Sequence, residues 1–200
     1  MNESIKLRIL SLALILILSG TFTFCGDTST EVSTHFVYKV DGISKEVQSI
    51  AGIIQTEIQY DHKKQTLTMS ASNSFAEIIT VSVSNWDFQT PPENGLLEKE
   101  YDATYDEEQG ESNSPHIQCI DLTGANAGVT ICDGGIVTFT QDSKLYTSIF
   151  TGNENGTITI TKCDPEQKSI SGSFAVQVQY AIGQKLKLAG TFTNVKYTVF

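Results

Sequence analysis

Arginine is almost absent from this chain, in which Arg8 is the single one among 200 residues. Acidic residues outnumber basic ones by 23 to 13, and the formal net charge is −10. A protein that binds nucleic acid needs clustered cations to neutralise the phosphate backbone. Guanidinium groups are also the side chains that grip phosphate and carboxylate with two prongs. The composition therefore argues against nucleic-acid binding as the function.

Helical periodicity is also lacking after residue 34, where no window shows an apolar stripe with a period of 3.6 residues. Apolar and polar residues instead alternate with period two, which predicts β-strands. In one example, Ile54 and Ile58 share a face, and the apolar parity resumes at Leu67 and Ala71. A four-residue turn over 61–64 would pair Ile58 with Leu67 and Ile54 with Ala71, which predicts a hairpin.

The second half of the chain reads as a meander of strands separated by glycine and Asp-Pro turns. A loop over 182–184 would place Phe174 opposite Phe192 and Val178 opposite Leu188. About ten strands in one domain must pack as two sheets or close on themselves, because a single flat sheet would expose an apolar face. The fold prediction is all-β: an antiparallel β-sandwich, with a β-barrel-like closed sheet as the alternative.

The N-terminus carries the features of an export signal. Lys6 and Arg8 precede the apolar run from Ile9 to Leu18, which is short for a membrane span. Cys25 follows where a bacterial lipoprotein carries its lipid, and a polar stretch comes after it. We therefore expect a lipoprotein signal peptide with a signal helix over 1–24, a lipid on Cys25, a flexible tether over 25–34 and a single β-rich domain over 35–200. A plain cleaved signal and a retained anchor helix are the alternatives.

Three C-terminal motifs carry a resemblance to a known family. They are the run from Gly156 to Lys162 followed by Asp164, the run from Ile170 to Phe174, and the run from Gly190 to Val195. This pattern resembles the ending of an uncharacterised family of Bacteroidota lipoproteins, whose β-rich domain closes on similar motifs. The resemblance implies export and lipidation, and it implies no activity. We interpret the glycines and phenylalanines of these motifs as strand ends and core.

Motifs of catalysis and cofactor binding are missing from the sequence. It has no nucleophile elbow, zincin helix, phosphate-cradling glycine loop or dinucleotide fingerprint. The three histidines are far apart, and the cysteines lack the paired short spacing of a zinc site. We expect neither enzymatic activity nor a cofactor.

Two clusters are candidates for ligand binding. An acidic stretch could present several carboxylates to Ca²⁺, although its spacing matches no EF-hand and a solvated loop is the simpler interpretation. Its residues are Asp102, Asp106, Glu107, Glu108 and Glu111. Aromatic residues beside it could form a platform for sugar rings, or they could pack at the edge of the core. They are Trp86, Tyr101 and Tyr105.

Hairpin register predicts one disulfide. If Ala125 and Asn126 form a two-residue turn, Ile120 faces Ile131 and Cys119 faces Cys132. The two cysteines then occupy a non-hydrogen-bonded pair, where Cα atoms approach to about 4.5 Å, at the short end of what a disulfide bridges. Two thiols in a slipped or longer hairpin are the alternative.

The sequence as a whole favours a non-catalytic lipoprotein of the cell envelope, anchored in the membrane by its lipid. The expected location is the outer membrane, facing the periplasm or the cell surface. The expected role is a binding or structural interaction module with a protein or glycan partner. The alternative is a glycan-binding accessory lipoprotein of an uptake system.

Overall fold

The computed structural model describes residues 33–74, 77–103, 117–148, 156–180 and 183–200. These residues confirm the all-β prediction, because every regular element longer than one 3-10 turn is a strand. The strands are β1 (His35–Val40), β2 (Ile43–Lys45), β3 (Ser49–Gln59), β4 (His62–Ser74), β5 (Glu77–Trp86), β6 (Glu100–Asp102), β7 (Cys119–Asp121), β8 (Thr130–Cys132), β9 (Gly134–Gln141), β10 (Lys144–Thr147), β11 (Thr157–Asp164), β12 (Ser169–Tyr180), β13 (Gln184–Lys196) and β14 (Thr198–Val199). The 3-10 turns are Asp87–Gln89 and Gly124–Asn126.

Twelve of these strands form one hydrogen-bonded sheet, and β7 pairs with β8 as a separate hairpin. The sheet follows the order β14-β3-β4-β5-β9-β10-β12-β13-β1-β2, with β11 on β12 and β6 on β11. Within the described ranges, one residue pair, Thr147 with Gln179, joins β10 to β12. This thin connection divides the sheet into a first layer (β14, β3, β4, β5, β9, β10) and a second layer (β6, β11, β12, β13, β1, β2).

The two layers share one hydrophobic core, as a β-sandwich does. Ile54 and Val81 of the first layer belong to the same buried cluster as Phe36 and Val178 of the second. The sheet does not close, since β14 and β2 end the path without pairing to each other, and the barrel-like alternative is therefore wrong. Fully burying each such side chain stabilises the fold by about 1.5–3 kcal/mol.

The hairpin of β3 and β4 differs in register from its prediction. The turn consists of two residues, Tyr60 and Asp61, which have φ values of 54° and 64°. A type I′ turn, the two-residue turn whose twist matches that of the strands, requires a positive φ at both positions. Ile54 therefore faces Leu67, and the predicted partner Ala71 lies four residues further along β4. The shift is even, so both side chains still point into the core.

The pairing of β12 with β13 also differs from its prediction, by two residues. Phe174 faces Gly190, and Gly172 faces Phe192. Each phenyl ring fills the space that the glycine opposite leaves free. Gly172, Phe174, Gly190 and Phe192 thus lie within β12 and β13 and pack in or against the core, whereas Gly156 precedes the first residue of β11 and marks a strand end, as interpreted.

Candidate functional site

The predicted aromatic platform does not form. Trp86 is 1% exposed, and it packs against Leu122 and Ile131 of the β7–β8 hairpin. Its Nε1 donates a hydrogen bond to the carbonyl of Cys132 at 2.7 Å. Tyr101 is 0% exposed in β6. Neither ring can stack on a sugar, so the platform prediction is wrong for both; Tyr105 lies outside the described residues.

The candidate calcium ligands are mostly outside the described residues, where Asp106, Glu107, Glu108 and Glu111 fall. Asp102 is described, and its side chain is buried in β6. Across the described ranges, no group of three or more His, Cys, Asp or Glu side chains is arranged to hold a metal ion. The lipid-attachment residue Cys25 also falls outside the described residues.

The predicted disulfide between Cys119 and Cys132 is present, with Cα atoms 4.1 Å apart. Ile120 faces Ile131, as the register argument requires. The connection is longer than the predicted two-residue turn, because it contains a 3-10 turn over Gly124–Asn126, in which the amide of Ala127 donates to the carbonyl of Gly124 at 3.2 Å. Cys163 has a free thiol and accepts a hydrogen bond from the amide of Leu96 at 3.2 Å. Burial raises the pKa of this thiol above its ordinary value.

A buried polar cluster joins β5, β6 and β9. Asp133 is fully buried, and its carboxylate pairs with the ammonium of Lys99. The Lys99 Nζ also lies 4.9 Å from the centre of the Tyr101 ring. The hydroxyl of Tyr101 lies 2.7 Å from Oδ1 of Asn85 and 2.8 Å from the carbonyl of Leu97. Burial raises the pKa of Tyr101 far above its ordinary value. These contacts fasten the segment before β6 to the sandwich.

A second polar cluster connects the two layers at one end. The Lys45 ammonium of β2 lies 2.8 Å from Oε1 of Glu77 at the start of β5. Asn73 and Gln141 also donate hydrogen bonds to this carboxylate. Burial alone would raise the pKa of Glu77, but the hydrogen bonds from Lys45 and Asn73 outweigh it and lower the pKa. Burial, with a smaller contribution from the Glu77 charge, raises the pKa of Tyr38 to about 12.

A concave surface lies elsewhere, on the outer face of the second layer. It is a groove of about 710 Å³. Its floor consists of two rows of side chains that cross the strands at right angles. The residues of the first row face one another in register from β11 to β2: Thr157, Ala175, Ala189, Lys39 and Ser44. The second row, from β12 to β1, contains Ser173, Thr191 and Val37.

Side-chain size explains why this face is concave. The outward positions at the centre of the layer hold alanine, serine and threonine, while Lys187 and Gln177 stand on the next row along β13 and β12. The floor is open to solvent, with Val37 56% exposed. Five strands at a spacing of about 4.8 Å give the longer row a length of about 19 Å. A volume of this size lies within the range of ligand sites.

Four strands of the second layer differ in charge from the rest of the chain, whereas β6 and β11 of the same layer carry Glu100, Asp102 and Asp164. Strands β1, β2, β12 and β13 contain no aspartate or glutamate, although the chain carries 23 acidic residues. The same four strands contain five lysines: Lys39, Lys45, Lys185, Lys187 and Lys196. Lys39 stands in the groove itself, and within the described ranges its ammonium forms no ion pair. Two lysines therefore line the groove: Lys45, which is paired with Glu77, and Lys39.

Sequence reasoning missed this groove. Its residues alternate with core residues, as any outward-facing set does, and none belongs to a motif of ligand binding. A signal was present in the pairing of two alanines, because Ala175 and Ala189 occupy outward positions where solvated strands usually carry longer polar side chains. This pair of alanines can be recognised only when the register of β12 with β13 is known.

Searches of family models, curated proteins and solved structures gave no match to this chain. In the part of the chain that the structure describes, no helix is long and apolar enough to cross a membrane.

Proposed function

We propose that this protein is a non-catalytic binding module of the cell envelope, held at a membrane by a lipid on Cys25, and that it binds its partner in the groove of the second layer. The observation that carries the proposal is the groove itself, which combines an open floor of small side chains with Lys39, whose ammonium forms no ion pair with the part of the chain that the structure describes. Lipidation and the outer-membrane location are supported by the N-terminal signal and by the resemblance to Bacteroidota lipoproteins.

The polar clusters inside the sandwich support a non-catalytic role. A general acid or base must reach a substrate within hydrogen-bond distance. Asp133 is completely enclosed and paired with Lys99, and Tyr101 has no exposed surface. Glu77 is bound by Lys45 and by two amide side chains. Each of these contacts has a structural role in joining strands.

One observation favours the glycan-binding alternative: the groove runs across the strands. The rows cross the strands, and the interior strands have already paired their backbone groups with their neighbours. A ligand in the groove therefore meets side chains and not a free strand edge. Hydroxyl groups at Ser44, Ser173 and Thr191 offer both donors and acceptors to a polyol.

Site-specific cross-linking in intact cells tests the binding function. A photo-crosslinking amino acid at Val37 should capture a partner in the envelope, whereas the same amino acid at Thr68, on the outer face of the first layer, should not. Equal capture at both positions, or capture at neither, would contradict a binding site in the groove. The anchor is tested separately: wild-type protein should fractionate with membranes and yield an acylated N-terminal Cys25, and Cys25→Ser should be released.

A further inference from the structure

We propose that the ligand of the groove is an acidic oligosaccharide, with uronate-type carboxylates, that lies across strands β11, β12, β13, β1 and β2. This inference rests on the proposed binding function and names its ligand class. It depends on three observations: the charge of the layer, the chemistry of the floor and the direction of the groove.

The charge of the side chains in the groove indicates the charge of its ligand. Lys39 lies directly opposite Ala189 in the first row, and Lys187 is its diagonal neighbour on β13. The strands β1, β2, β12 and β13 themselves contain no carboxylate, but Asp41, in the turn after β1, lies opposite Lys187, and its Oδ1 accepts a hydrogen bond from the Lys187 amide at 2.8 Å. The charge argument therefore depends on Lys39. A lysine donates charge-assisted hydrogen bonds to a carboxylate, and such bonds are about twice as strong as neutral ones. An anionic group beside Lys39 therefore completes a pairing that the described residues leave open.

The side chains of the floor indicate the chemistry of the uncharged part of the ligand. The methyl groups of Ala175 and Ala189 lie side by side in the first row, and the hydroxyls of Ser173 and Thr191 lie next to Val37 in the second row. A sugar ring has the same two kinds of surface, since its C–H groups are apolar and its hydroxyls both donate and accept. The sides of the ring away from the floor remain in water, because the groove is open.

The direction of the groove disfavours an acidic peptide as the occupant. An extended peptide carries one amide donor and one carbonyl acceptor per residue, and these need partners when they are buried. A sheet edge supplies such partners to an added strand. The floor here supplies hydroxyls at Ser44, Thr157, Ser173 and Thr191, while the backbone groups of β12 and β13 are already paired. An oligosaccharide requires no such ladder.

Calorimetric titration of the full-length lipoprotein in detergent micelles tests the inference. The probes are a short oligogalacturonate, the same oligosaccharide with its carboxylates methyl-esterified, and an oligoglutamate peptide. We expect the oligogalacturonate to bind and the ester to bind about threefold to fivefold more weakly, because the ester lacks the charge that would pair with Lys39 at this exposed site. The peptide should not bind.

Three variants locate the binding. Lys39→Glu should weaken oligogalacturonate binding by at least about tenfold. Ala189→Tyr should abolish oligogalacturonate binding, because the tyrosine ring fills the floor of the groove. Positions 39 and 189 are both exposed, so an unchanged melting temperature will show that each variant is folded. Lys168→Glu is the matched control, since it changes the net charge by the same amount on the exposed turn between β11 and β12 and should leave binding unchanged.

Four results would overturn the inference. Equal weakening by Lys39→Glu and Lys168→Glu would show a general charge effect. Equal binding of the oligogalacturonate and its methyl ester would show that the groove has no preference for an anionic ligand. Tighter binding of the peptide than of the sugar would show that the ligand is a peptide. If no probe binds while Val37 still cross-links to a partner, the ligand class is wrong and the proposed binding function stands. If Val37 captures nothing as well, both fail.

Discussion

Phe174 of β12 lies directly opposite Gly190 of β13, and a Cβ atom added to this glycine would meet the Cζ of the ring at 2.5 Å. The same hypothetical atom would lie 2.7 Å from the carbonyl of Val37. Neither the Phe174 ring nor the backbone of Val37 can move without disturbing the core. The centroids of the Phe174 and Phe36 rings are 6.1 Å apart there. Gly190 is therefore fixed by packing and not by backbone conformation.

Gly190→Ala should lower the free energy of unfolding by about 1–3 kcal/mol, the usual penalty for overpacking a core. Chemical denaturation with the circular dichroism of the strands as the readout measures this change. Ala189→Ser, at the next residue on the opposite face, is the control and should change stability by less than about 0.5 kcal/mol. Equal effects at the two positions would contradict the packing argument.

Alternation of apolar and polar residues predicted the strands because it is a local property of each segment. Register was harder to predict, because a shift of two or four residues preserves the alternation. The register of Cys119 with Cys132 was predicted correctly, although a 3-10 turn over Gly124–Asn126 replaces the predicted two-residue turn. The pairs Ile54 with Leu67 and Phe174 with Gly190 were missed, because turn conformation and ring packing decide them.

The burial of Trp86 and the groove were beyond prediction from sequence for a different reason. Trp86 is covered by the β7–β8 hairpin, more than thirty residues further along the chain. The groove brings together β1 and β2 from the beginning of the domain and β11, β12 and β13 from its end. No local pattern encodes such long-range neighbours.

Two buried tyrosines offer a matched pair of tests. The hydroxyl of Tyr38 has no hydrogen-bond partner among the described residues, whereas that of Tyr101 contacts Asn85 and Leu97. Tyr38→Phe should leave the free energy of unfolding unchanged or raise it, since it removes an unsatisfied polar group. Tyr101→Phe should lower it by about 1–2 kcal/mol, because Asn85 and Leu97 lose a partner. Denaturant titrations of both variants would contradict this account if Tyr38→Phe were the more damaging change.

Acid should weaken the connection between the layers at Glu77. The pKa of this carboxyl is below its ordinary value of 4.5 in the folded state. The folded state therefore binds fewer protons than the unfolded state in this range, and stability must fall as the pH falls through the folded pKa. Glu77→Gln should be less stable than wild type at pH 7, and the difference should narrow as the pH drops below 4.5. A difference that stays constant from pH 7 to pH 3 would show that the charge of Glu77 contributes nothing.

Reduction of the Cys119–Cys132 disulfide should be visible in the fluorescence of Trp86, the single tryptophan of the chain. The indole is covered by Leu122 and Ile131 of the hairpin that this disulfide closes, and it donates a hydrogen bond to Cys132. The two cysteines are 13 residues apart, so the bond contributes about 3 kcal/mol to the ordering of the hairpin in the chain-entropy model.

A small two-stranded hairpin has little stability of its own, so its loss of order exposes the indole to water. We expect the emission of wild-type protein to shift to longer wavelength on reduction, and the double variant Cys119→Ser with Cys132→Ser to show the same shift without reductant. Cys163→Ser is the control and should keep the emission of the wild type, because this thiol contacts Leu96 and lies in another part of the core. An unchanged spectrum after complete reduction, verified by thiol titration, would show that the packing of Leu122 and Ile131 on Trp86 holds the hairpin in place without the disulfide.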